Sequence, residues 1–160
     1  YIPDNPDIYE FLTGMQYLDY IGAVFKVDAK RKEERIQKYA KLLGMTGDLG
    51  ELIGNYSHGM KNKIVLIGAF LHEPKLLVLD EPFVGLDPEA SFHLKEMMKE
   101  LCAKGSGIFF STHVLDVAEK LCHKVAIIKE GKIIASGTMD EVKGDSSLEE
   151  AFLEVVEHER

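Results

Sequence analysis

The sequence predicts an α/β fold, in which part of a parallel β-sheet with flanking helices is joined to a small helical lobe. Residues 1–55 show apolar positions at helical spacing. From residue 76 onward, short apolar runs alternate with amphipathic segments, a pattern typical of parallel strands connected by crossover helices. Hydrophobic residues make up 46% of the 160 positions, which is enough for a sizeable core.

Two helices are predicted in the lobe, after an extended loop over residues 1–11 that contains two prolines. Thr13 and Gln16 have the spacing of a capping box, and apolar residues at helical spacing follow them. A second helix is predicted over residues 29–43, with Gly44 as its stop signal.

The rest of the chain is predicted to alternate between helices and strands. A serine, Ser57, is positioned to cap the first of these helices. Glu130-Gly131 indicates a tight hairpin between the last two strands. The predicted strands are 76–79, 108–111, 125–128 and 132–135, and the predicted helices are 57–71, 88–103, 114–121 and 147–157. We therefore expect a helical lobe over residues 1–55 and an α/β core over residues 56–160.

Composition and charge exclude several classes of protein. The net charge of −8 and the pI near 5.2 argue against broad contact with nucleic acid, which usually requires a basic face. The longest apolar run, Ile64–Leu71, falls well short of the roughly 18–20 residues that span a bilayer. The two cysteines, Cys102 and Cys122, are too few for a disulfide framework and fit a reducing cytoplasm. The chain begins with Tyr1, and we expect it to be a segment of a longer protein.

Two adjacent acids, Asp80 and Glu81, follow the predicted strand Leu76–Leu79. Ligands of open α/β sheets bind outside the carboxyl ends of the strands, and burying a carboxylate without a partner is costly. Successive strand residues point to opposite faces. We therefore expect one carboxylate to lie near Mg²⁺ and the other near a nucleophilic water.

The run LLVLDEPFVGLD, residues 76–87, resembles the Walker B motif and D-loop of ABC-type ATPases. The resemblance implies a partial P-loop NTPase-like core, in which Asp80 holds Mg²⁺ through water and Glu81 polarises the attacking water. It places Asp87 at a dimer interface. Asp87 also has a local interpretation as the N-cap of the next helix, with Pro88 at the first helical position, and the two roles are compatible.

The segment YSHGM, residues 56–60, resembles the ABC signature LSGGQ. Ser57 and Gly59 match the serine and the second glycine, while His58 and Met60 replace the first glycine and the glutamine. A helix start of this kind suits an anion, because the helix dipole places about half a positive charge there and the glycine exposes backbone N–H groups. The resemblance implies that Ser57, His58 and Gly59 face the γ-phosphate of an ATP held by a second copy. This form of the signature favours the exporter ATPases.

Two further segments resemble loops of the same family. STHVLD, residues 111–116, resembles the switch loop, with His113 as the histidine that stabilises the transferring phosphoryl group. YIPDNPDIYEFLTG, residues 1–14, resembles the Q-loop. Asp4 stands where the family has glutamine, so the resemblance implies a metal-binding position with an added charge and a shorter reach.

The family's phosphate-binding loop, G-x-x-x-x-G-K-[ST], does not occur in the 160 residues. In this family it precedes the Q-loop. We therefore expect a C-terminal fragment that lacks the Walker A half, that binds MgATP weakly by itself and that hydrolyses almost none.

For the parent protein, the resemblance implies an ATP-hydrolysing subunit of an ABC transporter that uses ATP and Mg²⁺. It pairs head to tail with a second ATP-binding subunit, identical or paralogous, and contacts a transmembrane permease subunit at the cytoplasmic face of the cell membrane. Two alternatives stay open: a soluble ABC-type ATPase of translation or DNA maintenance, and a non-catalytic partner that senses nucleotide. The short segment between Asp4 and Ser57 favours a transporter's helical lobe over the long coiled coils of the soluble proteins. The presence of Glu81 and His113 argues against the non-catalytic partner.

Overall fold

The structure is a computed structural model, and it describes residues 1–158. The chain forms two compact units, one from Tyr1 to Ser111 and a second that begins at Thr112.

The first unit opens with helices α1 (Gly14–Val24) and α2 (Ala29–Leu42). The predicted capping box at the start of α1 is present: the Gln16 N–H donates to the Thr13 hydroxyl at 3.2 Å, and the Thr13 N–H donates to the Gln16 side chain at 2.9 Å. Asp28 caps α2 by accepting a hydrogen bond from a backbone N–H of its first turn. Local sequence chemistry therefore sets where both helices begin.

Helix α3 (His58–Leu71) is the centre of the core of the first unit, and a short 3₁₀ helix (Ile53–Asn55) precedes it. Both α1 and α2 pack against α3. Its apolar side chains Ile64, Ile67 and Leu71 have no exposed surface. Because burial of such side chains drives folding, α3 is the element against which the remaining parts of the unit are positioned.

The parallel sheet of the first unit consists of β1 (Leu76–Asp80) and β2 (Gly107–Ser111), connected by the crossover helix α4 (Pro88–Ala103). Leu76 lies opposite Gly107 and Asp80 lies opposite Ser111. On the other side of β1, Ile2 forms a parallel bridge with Leu79. Three chain segments therefore run in the same direction toward one edge of the sheet.

The second unit contains α5 (Leu115–Leu121), an antiparallel hairpin of β3 (Lys124–Lys129) and β4 (Lys132–Thr138), and helices α6 (Met139–Lys143) and α7 (Leu148–His158). The hairpin turns at Glu130-Gly131, as predicted. The small core of the second unit is formed by Ala118, Met139 and Leu148.

The predicted α/β class, with a parallel sheet and flanking helices, is confirmed. Two short helices were not predicted, the 3₁₀ helix before α3 and α6 after β4. The expected boundary between a helical lobe and a core near residue 55 falls inside the first unit and stays a prediction. Within residues 1–158, no helix combines the length and the apolar character needed to cross a membrane.

Candidate functional site

The carboxyl end of the parallel sheet brings Asp80 and Ser111 together. The two residues are partners in the strand register, and the Ser111 hydroxyl donates a hydrogen bond to the Asp80 carboxylate. This bond fixes one carboxylate oxygen from the neighbouring strand. Asp80 is therefore held at the position where ligands of open α/β sheets bind.

The segment that contains Asp4 reaches the same edge of the sheet. The Ile2 N–H donates to Val78 O at 2.9 Å, and the Asp80 N–H donates to Ile2 O at 2.9 Å. Asp4 follows two residues beyond this pairing and is exposed. The structure thus brings the predicted Q-loop segment next to β1, although the sequence predicted only an extended loop there.

Glu81 begins a turn immediately after β1. Its backbone has a φ of +45°, in the left-handed region that is unfavourable for a residue with a side chain. Its N–H faces Ser111, with the carbonyl oxygen at 3.2 Å and the hydroxyl oxygen at 3.3 Å. The turn continues through the buried Pro82, and the Val84 N–H donates to Glu81 O at 3.1 Å. Several contacts therefore hold the backbone of Glu81 in an unfavourable conformation.

The predicted signature segment forms the start of α3. Ser57 is its N-cap, and its hydroxyl accepts a hydrogen bond from the Met60 N–H at 3.2 Å. Ser57 and His58 are exposed, and Gly59 is partly buried. The helix has 14 residues, so its first turn presents backbone N–H groups and the positive end of a full dipole to solvent. These are the features that bind phosphate groups.

The start of α3 packs closely against the turn of residues 81–87. A Cβ atom added to Gly59 would lie 2.6 Å from Gly85 O, so this contact requires a glycine. Gly85 itself has a φ of +75°, and a Cβ there would lie 3.2 Å from the His58 ring. The Asn62 amide donates to Val84 O at 3.2 Å. The predicted signature and the predicted D-loop are therefore in direct contact within one chain.

Asp87 connects α3 with α4. One carboxylate oxygen accepts the Ala90 N–H at 2.8 Å, which caps α4, and the other lies 2.6 Å from the Lys63 ammonium group. The hydrogen bond from Lys63 and then the one from Ala90 lower the pKa of the Asp87 carboxyl group. The predicted capping role is confirmed, and half of the carboxylate side chain stays exposed.

His113 belongs to the second unit and is exposed there. It precedes Val114, whose N–H donates to the Thr112 hydroxyl at 3.1 Å just before α5 begins. The structure therefore assembles the other predicted site residues in two places of the first unit. Asp4, Asp80 and Glu81 lie at the sheet edge, and Ser57, His58, Gly59 and Asp87 lie where α3 meets the turn.

Sequence reasoning did not assign Ser111, Asn62 or Lys63 to these contacts. Asn62 and Lys63 follow Gly59 by three and four residues. These spacings put all three residues on one face of a helix, so this part of the contact was readable once the start of α3 was known. The bond from Ser111 to Asp80 depends on strand register, which the sequence does not specify.

Comparisons with known proteins agree on the family. A family model described as "AAA domain, putative AbiEii toxin, Type IV TA system" matches residues 17–115. The ABC transporter ATP-binding protein all4389 of Nostoc sp. is 34% identical over 92% of this chain and 44% of its own length. EcsA of Bacillus subtilis, an ABC-type transporter ATP-binding protein, is 35% identical over 99% of this chain and 66% of its own length.

A solved structure titled "Structure of ATP binding subunit of ABC transporter" matches with a TM-score of 0.93 and 36% identity, over 98% of this chain and 67% of that one. The chain spans about half the length of the first curated relatives, 44% of one and 46% of another. The family model describes an AAA domain, a broad class, whereas the relatives are named more narrowly as ATP-binding proteins of ABC transporters. Because the sequence, the fold and the order of the motifs all agree, the chain belongs to the ATP-binding proteins of ABC transporters.

Proposed function

We propose that the parent protein is the ATP-hydrolysing subunit of an ABC transporter, which couples hydrolysis at a head-to-tail dimer interface to solute export. The observation that supports this most is the turn of residues 81–87. At one end it carries Glu81 beside the sheet edge, and at the other it contacts the signature-like start of α3. Export is favoured by the Tyr-Ser-His-Gly-Met form of the signature at residues 56–60.

Asp80 is the proposed protein ligand for Mg²⁺, acting through a bound water. Residues 1–158 contain no cluster of three His, Cys, Asp or Glu side chains arranged for a metal ion. Mg²⁺ is usually bound by one or two carboxylates together with phosphate oxygens and waters, so the single carboxylate of Asp80 is sufficient for this role. The hydrogen bond from Ser111 orients Asp80 for this role. Asp4 is a second candidate, since its segment reaches the same edge.

Glu81 is the proposed residue that polarises the attacking water, and His113 is the proposed residue that stabilises the transferring phosphoryl group. Phosphoryl transfer depends mainly on positioning and electrostatic stabilisation. The anchored backbone of Glu81 supports the first assignment, because a fixed backbone limits where its carboxylate can move. His113 is assigned from its place after β2 in the sequence.

The start of α3 is proposed to act, through Ser57, His58 and Gly59, on an ATP held by a second ATP-binding subunit, identical or paralogous. Asp87 is proposed to lie at the interface between the two subunits. The exposure of Ser57 and His58 at the positive end of α3 supports this assignment.

Residues 1–55 are proposed to form the helical lobe that contacts a transmembrane permease subunit on the cytoplasmic side of the membrane. Residues 56–160 then form the C-terminal part of the ATPase core.

Two other functions compete with this one. A soluble ABC-type ATPase of translation or DNA maintenance is disfavoured by the net charge of −8, which opposes contact with nucleic acid. Co-purification of the full-length protein with a membrane protein, tested after detergent extraction, separates this function from transport. A non-catalytic partner that senses nucleotide would show no turnover in an ATPase assay of the assembled dimer.

Glu81→Gln in the full-length protein tests the catalytic assignment. The amide keeps the size of the side chain and loses the charge that polarises water, so we expect ATP binding to persist while turnover is lost. Size-exclusion chromatography with ATP should then show a stable dimer. Wild-type turnover in this variant would remove Glu81 from its assigned role.

The 160-residue chain itself is expected to bind MgATP weakly and to hydrolyse almost none, because its sequence has no G-x-x-x-x-G-K-[ST] loop to hold the phosphates. Isothermal titration calorimetry measures this directly. A micromolar dissociation constant for the isolated chain would show that the main contacts with ATP lie within these residues.

A further inference from the structure

We propose that Asn62 and Lys63 are positioning residues that hold the turn of residues 81–87 against α3 and thereby fix the direction of Glu81. This inference rests on the proposed function for its link to hydrolysis. Neither side chain is assigned to contact ATP, Mg²⁺ or the reacting atoms. Their action is on the backbone that carries the carboxylate.

Asn62 holds the middle of the turn. Its amide nitrogen lies 3.2 Å from Val84 O and 3.3 Å from His58 Nε2. The Val84 N–H in turn donates to Glu81 O at 3.1 Å. Asn62 and Glu81 therefore bond to the carbonyl and the N–H of the same residue, so a movement of Val84 changes the position of Glu81.

The other atom of the same amide indicates that Asn62 does more than fill space. Asn62 Oδ1 is buried and has no hydrogen-bond partner among residues 1–158. A buried acceptor without a partner destabilises the folded state. An apolar side chain of similar size would avoid this cost, so the donor that reaches Val84 O is what asparagine adds here over an apolar residue.

Lys63 holds the far end of the turn. Its ammonium group lies 2.6 Å from Asp87, and its side chain is only 14% exposed. Asp87 also caps α4, so the ion pair ties the turn to α3 and α4 together. Glu81, the first residue of the turn, is anchored to Ser111. The turn is therefore held at its beginning by Ser111, in its middle by Asn62 and at its end by Lys63. Loss of the middle or end contact leaves the turn held less firmly around a backbone conformation of Glu81 that is unfavourable by itself.

Lys61 provides a matched control on the same helix. It is a lysine two residues away, it is 24% exposed, and it also forms an ion pair, but with Glu10 and not with the turn. Lys61→Met and Lys63→Met therefore remove the same charge from the same region of α3. Only Lys63→Met removes a contact with residues 81–87.

The test uses the full-length protein with Asn62→Leu, Lys63→Met, Lys63→Arg and Lys61→Met. Hydrogen exchange is measured by mass spectrometry on peptides covering residues 82–87, and ATPase activity is measured as separate kcat and KM values. We expect exchange in the turn to rise about two- to tenfold in Asn62→Leu and Lys63→Met, as loss of one hydrogen bond or ion pair predicts. We expect kcat to fall about tenfold or more, because small misplacement of a catalytic group is costly, while KM changes little.

Lys61→Met and Lys63→Arg are expected to behave like the wild type, since the first leaves the turn untouched and the second keeps a cation opposite Asp87. The thermal midpoint of Asn62→Leu is expected to stay close to that of the wild type, because removal of the buried acceptor offsets loss of the hydrogen bond to Val84 O. That result would separate positioning from a general loss of stability.

Three results would overturn the proposal: unchanged exchange in Asn62→Leu and Lys63→Met, increased exchange with wild-type kcat, or an equal loss of kcat in Lys61→Met. The last result would indicate an effect of charge alone. A wild-type protein without ATPase activity would instead refute the proposed function, and the exchange rates would then decide whether the two residues hold the turn.

Discussion

The contact between Gly59 and Gly85 permits a prediction about a single methyl group. In Gly59→Ala, the new Cβ atom would lie 2.6 Å from Gly85 O, whereas Cβ atoms in proteins essentially never approach another heavy atom within 3.0 Å. The obstructing atom belongs to the backbone of a turn that Asn62 and Lys63 hold on both sides. The turn therefore has little room to move away.

Two opposing effects set the size of the change. Alanine is favoured over glycine within a helix by up to about 1 kcal/mol, whereas overpacking at a rigid contact costs about 1–3 kcal/mol. Gly59 lies in the first turn of α3, where the helical gain is smaller than in the interior. We therefore expect a net loss of about 1–2 kcal/mol, and a decrease in the thermal midpoint of about 2–8 °C.

The assay is thermal unfolding of the full-length protein, followed by circular dichroism, together with ATP turnover. Gly47→Ala is the control, because a Cβ atom there would meet nothing within 4 Å, and its effect should stay within about 0.5 kcal/mol. If Gly59→Ala is as stable and as active as the wild type, the helix and the turn do not approach as closely as described, and the reasoning from their contact fails.

Two further predictions follow from exposed or charged residues of the first unit. The isolated chain should self-associate, because Leu76 and Phe109 are 65% and 63% exposed on one face of the sheet; light scattering over a range of concentrations should show this, Phe109→Lys should reduce it, and a clean monomer at all concentrations would contradict it. Acid should also destabilise the unit through Glu73. Its hydrogen bond from Lys104, with further help from Arg35, lowers the pKa of the carboxyl group below 4.5 in the folded state. The corresponding stability is present above pH 4.5 and is lost as the pH falls through the folded pKa. Glu73→Gln should therefore lose less stability than the wild type between pH 6 and pH 3, measured by urea unfolding, and equal losses would contradict the assignment.

Local signals predicted where most helices begin and end. Asp87 followed by Pro88 marked the start of α4, and the helix spans Pro88–Ala103 as predicted. The side chains that cap a helix are close in sequence to the groups they bind, so such signals are readable without knowledge of the tertiary structure. Helix α6 carries a similar capping box at Thr138 and Glu141, but its five residues are too short for a periodic apolar pattern to appear.

Strand lengths and partners were less predictable. Strand β4 extends to Thr138, three residues past the predicted end at Ala135, because Thr138 pairs with Lys124 of β3. The pairing of Ile2 beside β1 was missed for the same reason. Pairing depends on segments that are distant in sequence.

In the candidate site, as in the fold, features within one short segment were predictable from the sequence and contacts between distant segments were not. The residue types at positions 57–59, 80–81 and 87 were sufficient to propose a phosphate-binding helix start and a carboxylate pair, since each depends on one short segment. Contacts between segments, such as those of Ser111 with Asp80 and of Asn62 with Val84, required the structure. Whether His113 acts with Glu81 stays a prediction.

The left-handed backbone of Glu81 also affects how this protein can be engineered. A glycine at that position would relieve backbone strain of about 1 kcal/mol or more, so selection for heat resistance alone would favour losing the acid. This stabilising substitution therefore lies at the residue proposed to polarise the attacking water, and any search for robust variants needs an activity screen beside the stability screen.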